Sequence, residues 1–338
     1  MSAFFSRVAR VVATTVVLVP MAMTVGSVAA QPQPSPGPVP YPTPVRLSEA
    51  PLTFAQVLSR QKANYDRMKQ GRGNVVWTEE RADPAAPAGA VARPRPGQRM
   101  VFFLFETTPE RSVNLVLPMD AARSYLAGGR IDWLKALSAV AIEGDRVSTV
   151  GYARGTSTPI VTIAPFNPAV HESNPLVAFH PRLLGDDKDL RLADLAAAKP
   201  RLTEALSGGR RMIRIDAEKP GRPGEQASVT VDPAKACLPV EIVRTLDGRM
   251  ASRATIVVGN TPDGTFIPAR RTTERFDTAG RVVSRETWYY EDLSLNGPMP
   301  RLGATIAFFG LPDSTQVVTL GGQDGAKPSV RRTGPALR

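Results

Sequence analysis

The chain has 338 residues, 42% apolar and 22% charged, with 32 prolines, one cysteine and a formal charge of +11. A lone Cys237 excludes an internal disulfide, so stability must rest on a packed core. Arginines are scattered, with dense basic groups only at Arg210-Arg211, Arg270-Arg271 and the last eighteen residues, and no aromatic-basic module for nucleic acid; the charge reads as solubility and mild attraction to anionic surfaces or ligands.

The first thirty residues read as a secretory leader. Arg7 and Arg10 precede an apolar run over 11–19, Pro20 breaks it, and Val28-Ala29-Ala30 supplies small residues before the expected cleavage point. The run is short for a membrane span, so a cleaved leader is preferred to an anchor. No cysteine near the cut would take a lipid, and no Arg-Arg pair marks the twin-arginine route. Residues 31–51 are proline-rich and predict an extended spacer.

Residues 52–70 predict an amphipathic helix with Thr53 as cap and Gln56 closing a capping box. Phe54, Val57, Leu58, Tyr65 and Met68 recur at helical spacing, and Gly71 is the expected stop. A strand follows over 74–80, carrying Trp77. Residues 81–96, rich in proline and alanine, read as a long exposed loop. The apolar strand 98–106 and its partner 111–118 form a hairpin across a short turn.

A short helix is expected over 131–140, then strands at 146–152 and 159–165. Residues 168–189 form a loop-rich insertion holding both histidines. Residues 190–207 read as helical, with Leu192, Leu195, Leu202 and Leu206 on a stripe, Pro200 kinking it and Gly208-Gly209 stopping it. From Arg210 onward the pattern is all strand to about residue 320. Turns fall at Asp247-Gly248, Asp263-Gly264 and 278–280, giving about ten strands in all. Residues 321–338 read as a disordered basic tail.

The order of these features resembles the LolA/LolB-like family of periplasmic outer-membrane lipoprotein carriers and sorting proteins. The resemblance rests on the leading helix, the Trp77 strand with its apolar hairpin, and Val231-Asp232-Pro233 with Leu238-Pro239. It continues through Asp263-Gly-x-Phe-Ile-Pro268, Leu293-Ser-Leu-Asn296 and Phe308-x-x-x-Pro-Asp-Ser-Thr-x-Val317, and spans roughly residues 52–320. It implies an α+β fold: a curved antiparallel sheet, an unclosed half barrel, with helices over the concave face and acyl chains or other hydrophobic ligands held between them. No family functional residue maps onto a matching position here. The long 168–189 insertion and the loop before Gln98 depart from a minimal carrier.

Catalytic signatures are absent. His171 and His180 lie nine apart in a loop with Glu172, Asp186, Asp187 and Asp189, without the spacing of a rigid metal site. There is no G-x-S-x-G elbow and no phosphate loop of the G-x-x-x-x-G-K type. No catalytic residue, metal or cofactor is therefore expected, and a metal hydrolase on His171, His180 and Asp186 is the least favoured reading.

The apolar strands are more informative. Val101, Phe103 and Phe105 alternate onto one face of their strand, Phe102 and Leu104 onto the other. A strand apolar on both faces needs cover on both sides, or a ligand on one. The expected cavity lining is Trp77, Val101, Phe103, Phe105, Leu115, Leu117, Trp288 and Tyr290. The expectation is an exported, non-catalytic, monomeric periplasmic protein that binds lipid or lipoprotein acyl chains, touching a membrane surface transiently. The alternative is a sensor or scaffold of the same fold that binds an envelope protein.

Overall fold

The computed structural model describes residues 52–81, 97–108, 110–152, 158–166, 192–207, 209–218, 223–299, 305–312, 314–320 and 329–332. The leader, the proline-rich spacer, both histidines and their acidic neighbours lie outside the described residues.

Helix α1 covers Phe54–Tyr65, and its capping box is formed: Thr53 Oγ1 accepts from the Gln56 N–H, and Gln56 Oε1 accepts from the Thr53 N–H. The helix ends earlier than expected, because the chain must straighten to enter β1, Gln70–Arg81. Gly71 is therefore not the helix stop. It lies inside β1, where an added Cβ would stand 2.5 Å from the Phe105 ring and 2.8 Å from Leu295. The glycine is space for a neighbouring ring.

Two strands and a helix follow. They are β2 (Gly97–Thr107), β3 (Glu110–Pro118) and α2 (Met119–Leu126). Helix α2 was not anticipated, being only eight residues long. The helix expected over 131–140 is absent. Its place is taken by one 3-10 turn, Trp133–Lys135, and by β4, Ser138–Glu143. Then come β5 (Arg146–Tyr152) and β6 (Pro159–Pro165), as predicted.

The helix expected over 190–207 is also corrected. Leu192–Ala198 is a 3-10 segment, and Arg201–Ser207 is strand β7. Pro200 disfavours helical geometry in the residue before it, and Lys199 turns into the left-handed region at φ 50°. Of the leucine stripe, Leu192 and Leu195 are buried while Leu206 is exposed.

The remaining strands are β8 (Arg210–Glu218), β9 (Glu225–Asp232), β10 (Leu238–Leu246), β11 (Arg249–Asn260), β12 (Phe266–Phe276), β13 (Val282–Leu295), β14 (Gln316–Thr319) and β15 (Ser329–Arg332). Asp247 and Gly248 both have positive φ and join β10 to β11 in a two-residue hairpin.

Among the described residues there is one sheet of fifteen strands, not ten, in the order β15-β14-β6-β5-β4-β3-β2-β1-β13-β12-β11-β10-β9-β8-β7. The two outermost strands do not pair with each other, so the sheet is unclosed. Two antiparallel meanders, β1–β6 and β7–β13, meet where β1 pairs with β13. Strand β14 does not extend the second meander. It crosses to the far end and pairs in parallel with β6. Strand β15, inside the expected disordered tail, pairs with β14. No described helix is long and apolar enough to cross a membrane.

The core is double. On the first face, Val57 and Tyr65 of α1, with Leu192 and Leu195, pack on a cluster contributed by β8 to β13, β1, β2 and Val116 of β3. On the second face, Ala121 and Ala122 of α2, with Ile306 and Phe309, pack on β1 to β4 and β6. The two clusters overlap at β1, β2 and β3. Strand β2 supplies Val101, Phe103 and Phe105 to the first and Met100, Phe102 and Leu104 to the second. That overlap is why β2 reads as apolar throughout.

Candidate functional site

The structure brings six of the eight expected lining residues to the first face. Trp77 is on β1, Val101, Phe103 and Phe105 are on β2, and Trp288 and Tyr290 are on β13. Leu115 and Leu117 belong to the other face, beneath α2, so they line a different core. The alternation of β3 decides this: Val116, not its neighbours, points with Phe103.

The six residues form an aromatic floor. Phe103 and Phe105 stack at 6.4 Å between ring centroids, and Tyr290 meets Phe103 edge-on at 5.9 Å. Burial pushes the Tyr290 phenol up from its ordinary value. Trp77 and Trp288 are directly paired across the strands and stack at 4.5 Å with 10° between ring planes. Arg99, opposite Trp77 in register, lies 4.5 Å over its ring. Arg271 is opposite Trp288, is buried, and donates to the Thr273 hydroxyl at 3.1 Å. One cross-strand row therefore reads Arg99, Trp77, Trp288, Arg271.

This row borders two chemistries. On one side lie Val75, Val101 and the aromatic floor. On the other, Glu79 and Glu286 face each other across β1 and β13, with Glu79 ion-paired to Arg81 at 2.7 Å. The Trp77 Nε1–H is buried, in a residue only 8% exposed, and has no hydrogen-bond partner among the described residues. Sequence reading passed over Arg99 and Arg271. The signal for Arg99 was present, since it alternates in step with Val101, Phe103 and Phe105.

Helix α1 is fastened to the first face by polar side chains as well as by packing. Gln61 Nε2 donates to the Cys237 carbonyl at 2.6 Å. Asn64 takes both backbone groups of Phe266, donating to its carbonyl at 2.8 Å and accepting from its N–H at 2.9 Å. Asn296 continues the tie, accepting from the Lys69 N–H and donating to the Arg67 carbonyl and to Asp263. Asn64→Ala strands two part-buried backbone groups, so it is expected to destabilise the chain by about 1–3 kcal/mol. Urea unfolding of the variant checks this.

Cys237 is fully buried, and desolvation pushes its thiol up, away from reactivity. Among the described residues no group of three His, Cys, Asp or Glu side chains could hold a metal ion.

No family model and no curated protein matches the chain. Solved structures do resemble it. One is a LolA superfamily protein from Nitrosomonas europaea, 14% identical, covering 76% of this chain and 100% of its own, with a TM-score of 0.43. Another is a putative outer membrane lipoprotein-sorting protein domain from Vibrio parahaemolyticus, 11% identical over 73% of this chain and 93% of its own, TM-score 0.42. A third is a DUF1329 family protein from Desulfovibrio piger, 11% identical over 76% and 95%, TM-score 0.39.

Proposed function

We propose that this is an exported, non-catalytic binding protein that shields the acyl chains of a lipid or lipoprotein against the first face of its sheet. Its parts would be a leader over 1–30, a spacer over 31–51 and a binding body over 52–320, with α1 on the concave side of a half barrel working in the periplasm.

The width of the first face carries this reading. Its apolar cluster draws on nine consecutive strands, from β3 to β8 in sheet order. At roughly 4.8 Å per strand that is about 38 Å, whereas a twelve-residue helix is about 18 Å long. Among the described residues further cover comes from the Leu192–Ala198 segment and from Met68. The first-face residues are already buried by the chain itself, so an acyl chain would replace part of that packing. It gains about 0.8 kcal/mol for each methylene removed from water.

The expected result is a lipid adduct in native mass spectra of protein purified from an envelope fraction, and uptake of a fluorescent fatty acid by delipidated protein. A ligand-free chain that also ignores the fatty acid overturns the reading.

The open edge of β7 favours a second reading. A strand edge offers unpaired backbone groups to an extended segment of a partner protein. A stoichiometric protein partner and no lipid in a pull-down would select it.

A further inference from the structure

We propose that Arg99 and the Trp77 indole N–H form a docking point for one anionic oxygen group, a phosphate or carboxylate, at the polar end of the apolar floor. The inference rests on the acyl-binding reading of that floor and adds what its ligand must carry.

Three observations lead there. First, the row Arg99, Trp77, Trp288, Arg271 stands where the floor changes from apolar to charged, which is where the head of an amphiphile would fall if its tail lay on Val101, Phe103 and Tyr290. Second, the buried Trp77 Nε1–H lacks an acceptor among the described residues. Leaving a buried donor unmade is costly, and an incoming oxygen would satisfy it. Third, Arg99 is half-buried, sits 4.5 Å over the Trp77 ring, and has no carboxylate partner among the described residues. A guanidinium held on an aromatic face keeps its N–H edge available for an oxyanion.

Of the two carboxylates beside the row, Glu79 is ion-paired with Arg81. Arg271, on the far side of Trp288, donates to the Thr273 hydroxyl. A charged hydrogen bond lost from such a site lowers affinity roughly tenfold or more.

The test uses delipidated protein and calorimetric titration with three probes: dodecyl phosphate below its micellar concentration, dodecanol below its solubility limit, and inorganic phosphate. The expected result is dodecyl phosphate bound about tenfold tighter than dodecanol. Arg99→Gln should abolish the difference and leave dodecanol affinity unchanged. Trp77→Phe keeps the ring, removes the N–H and should narrow the difference, which keeps the test decisive if Arg99→Gln folds poorly. Inorganic phosphate bound alone with the same Arg99 dependence supports the docking point and makes free phosphate its ligand. Equal affinity for dodecyl phosphate and dodecanol overturns the docking point while the acyl-binding reading stands. Binding of no probe overturns both.

Discussion

Phe103→Ala and Leu104→Ala are each expected to destabilise the chain by about 2–5 kcal/mol, although the two side chains lie on opposite faces of one strand. Phe103 is 2% exposed in the core beneath α1, and Leu104 is 3% exposed in the core beneath α2. Each truncation removes transfer free energy and leaves a void in a packed interior. Urea unfolding of delipidated protein, compared at equal m-values, reads both. The pair is diagnostic. If Leu104→Ala carries its full cost while Phe103→Ala is near neutral, the first face is the wall of an open cavity and the two-core account fails.

The second large effect is electrostatic. Glu225 and Arg244 form an ion pair on neighbouring strands β9 and β10, with the Arg244 Nε–H donating to Glu225 Oε1 at 2.8 Å. Their side chains are only 7% and 11% exposed. Glu225→Ala leaves the guanidinium in a poorly solvated position without this carboxylate, an expected loss of about 3–5 kcal/mol. Replacing both partners with apolar residues should recover most of it, since neither charge then needs solvation. The pair Glu241 and Arg253 is the internal control. It has similar geometry, with the Arg253 Nε–H 2.8 Å from Glu241 Oε1, but exposures of 21% and 26%. Solvent screens it more, so Glu241→Ala should cost about 0–1 kcal/mol. Equal losses at the two sites would show that burial is not what sets the energy.

Local sequence marked much of the second meander. Tight turns such as Asp247-Gly248 have a short-range cause, positive φ matched to the strand twist, and the Thr53–Gln56 capping box is local as well. The failures were non-local. The leucine stripe over 190–207 has helical spacing, yet Pro200 and pairing with β8 make its second half a strand. Strand β14 looks like the end of a meander and instead joins β6 from across the sheet. The aromatic members of the site were recognisable because strand alternation is a two-residue rule. Arg99 was passed over because its neighbours across the sheet, Trp77 and through it Trp288, are set by register.

The sequence by itself determined that this chain builds a strand-rich core without disulfides, with a capped helix at its head and an unusually apolar strand at 98–106. It could not determine why that strand is apolar on both sides. Periodicity reports that a face is buried, and it carries no information about what buries it. Only the tertiary structure decided that one side of β2 joins the cluster that α1 packs on and the other side the cluster that α2 packs on. It thereby separated Leu115 and Leu117 from the aromatic floor and set Arg99 over the Trp77 indole at that floor's polar end. The reason is physical: strand pairing brings together residues distant in the chain, and their chemistry is defined by the neighbours that pairing supplies.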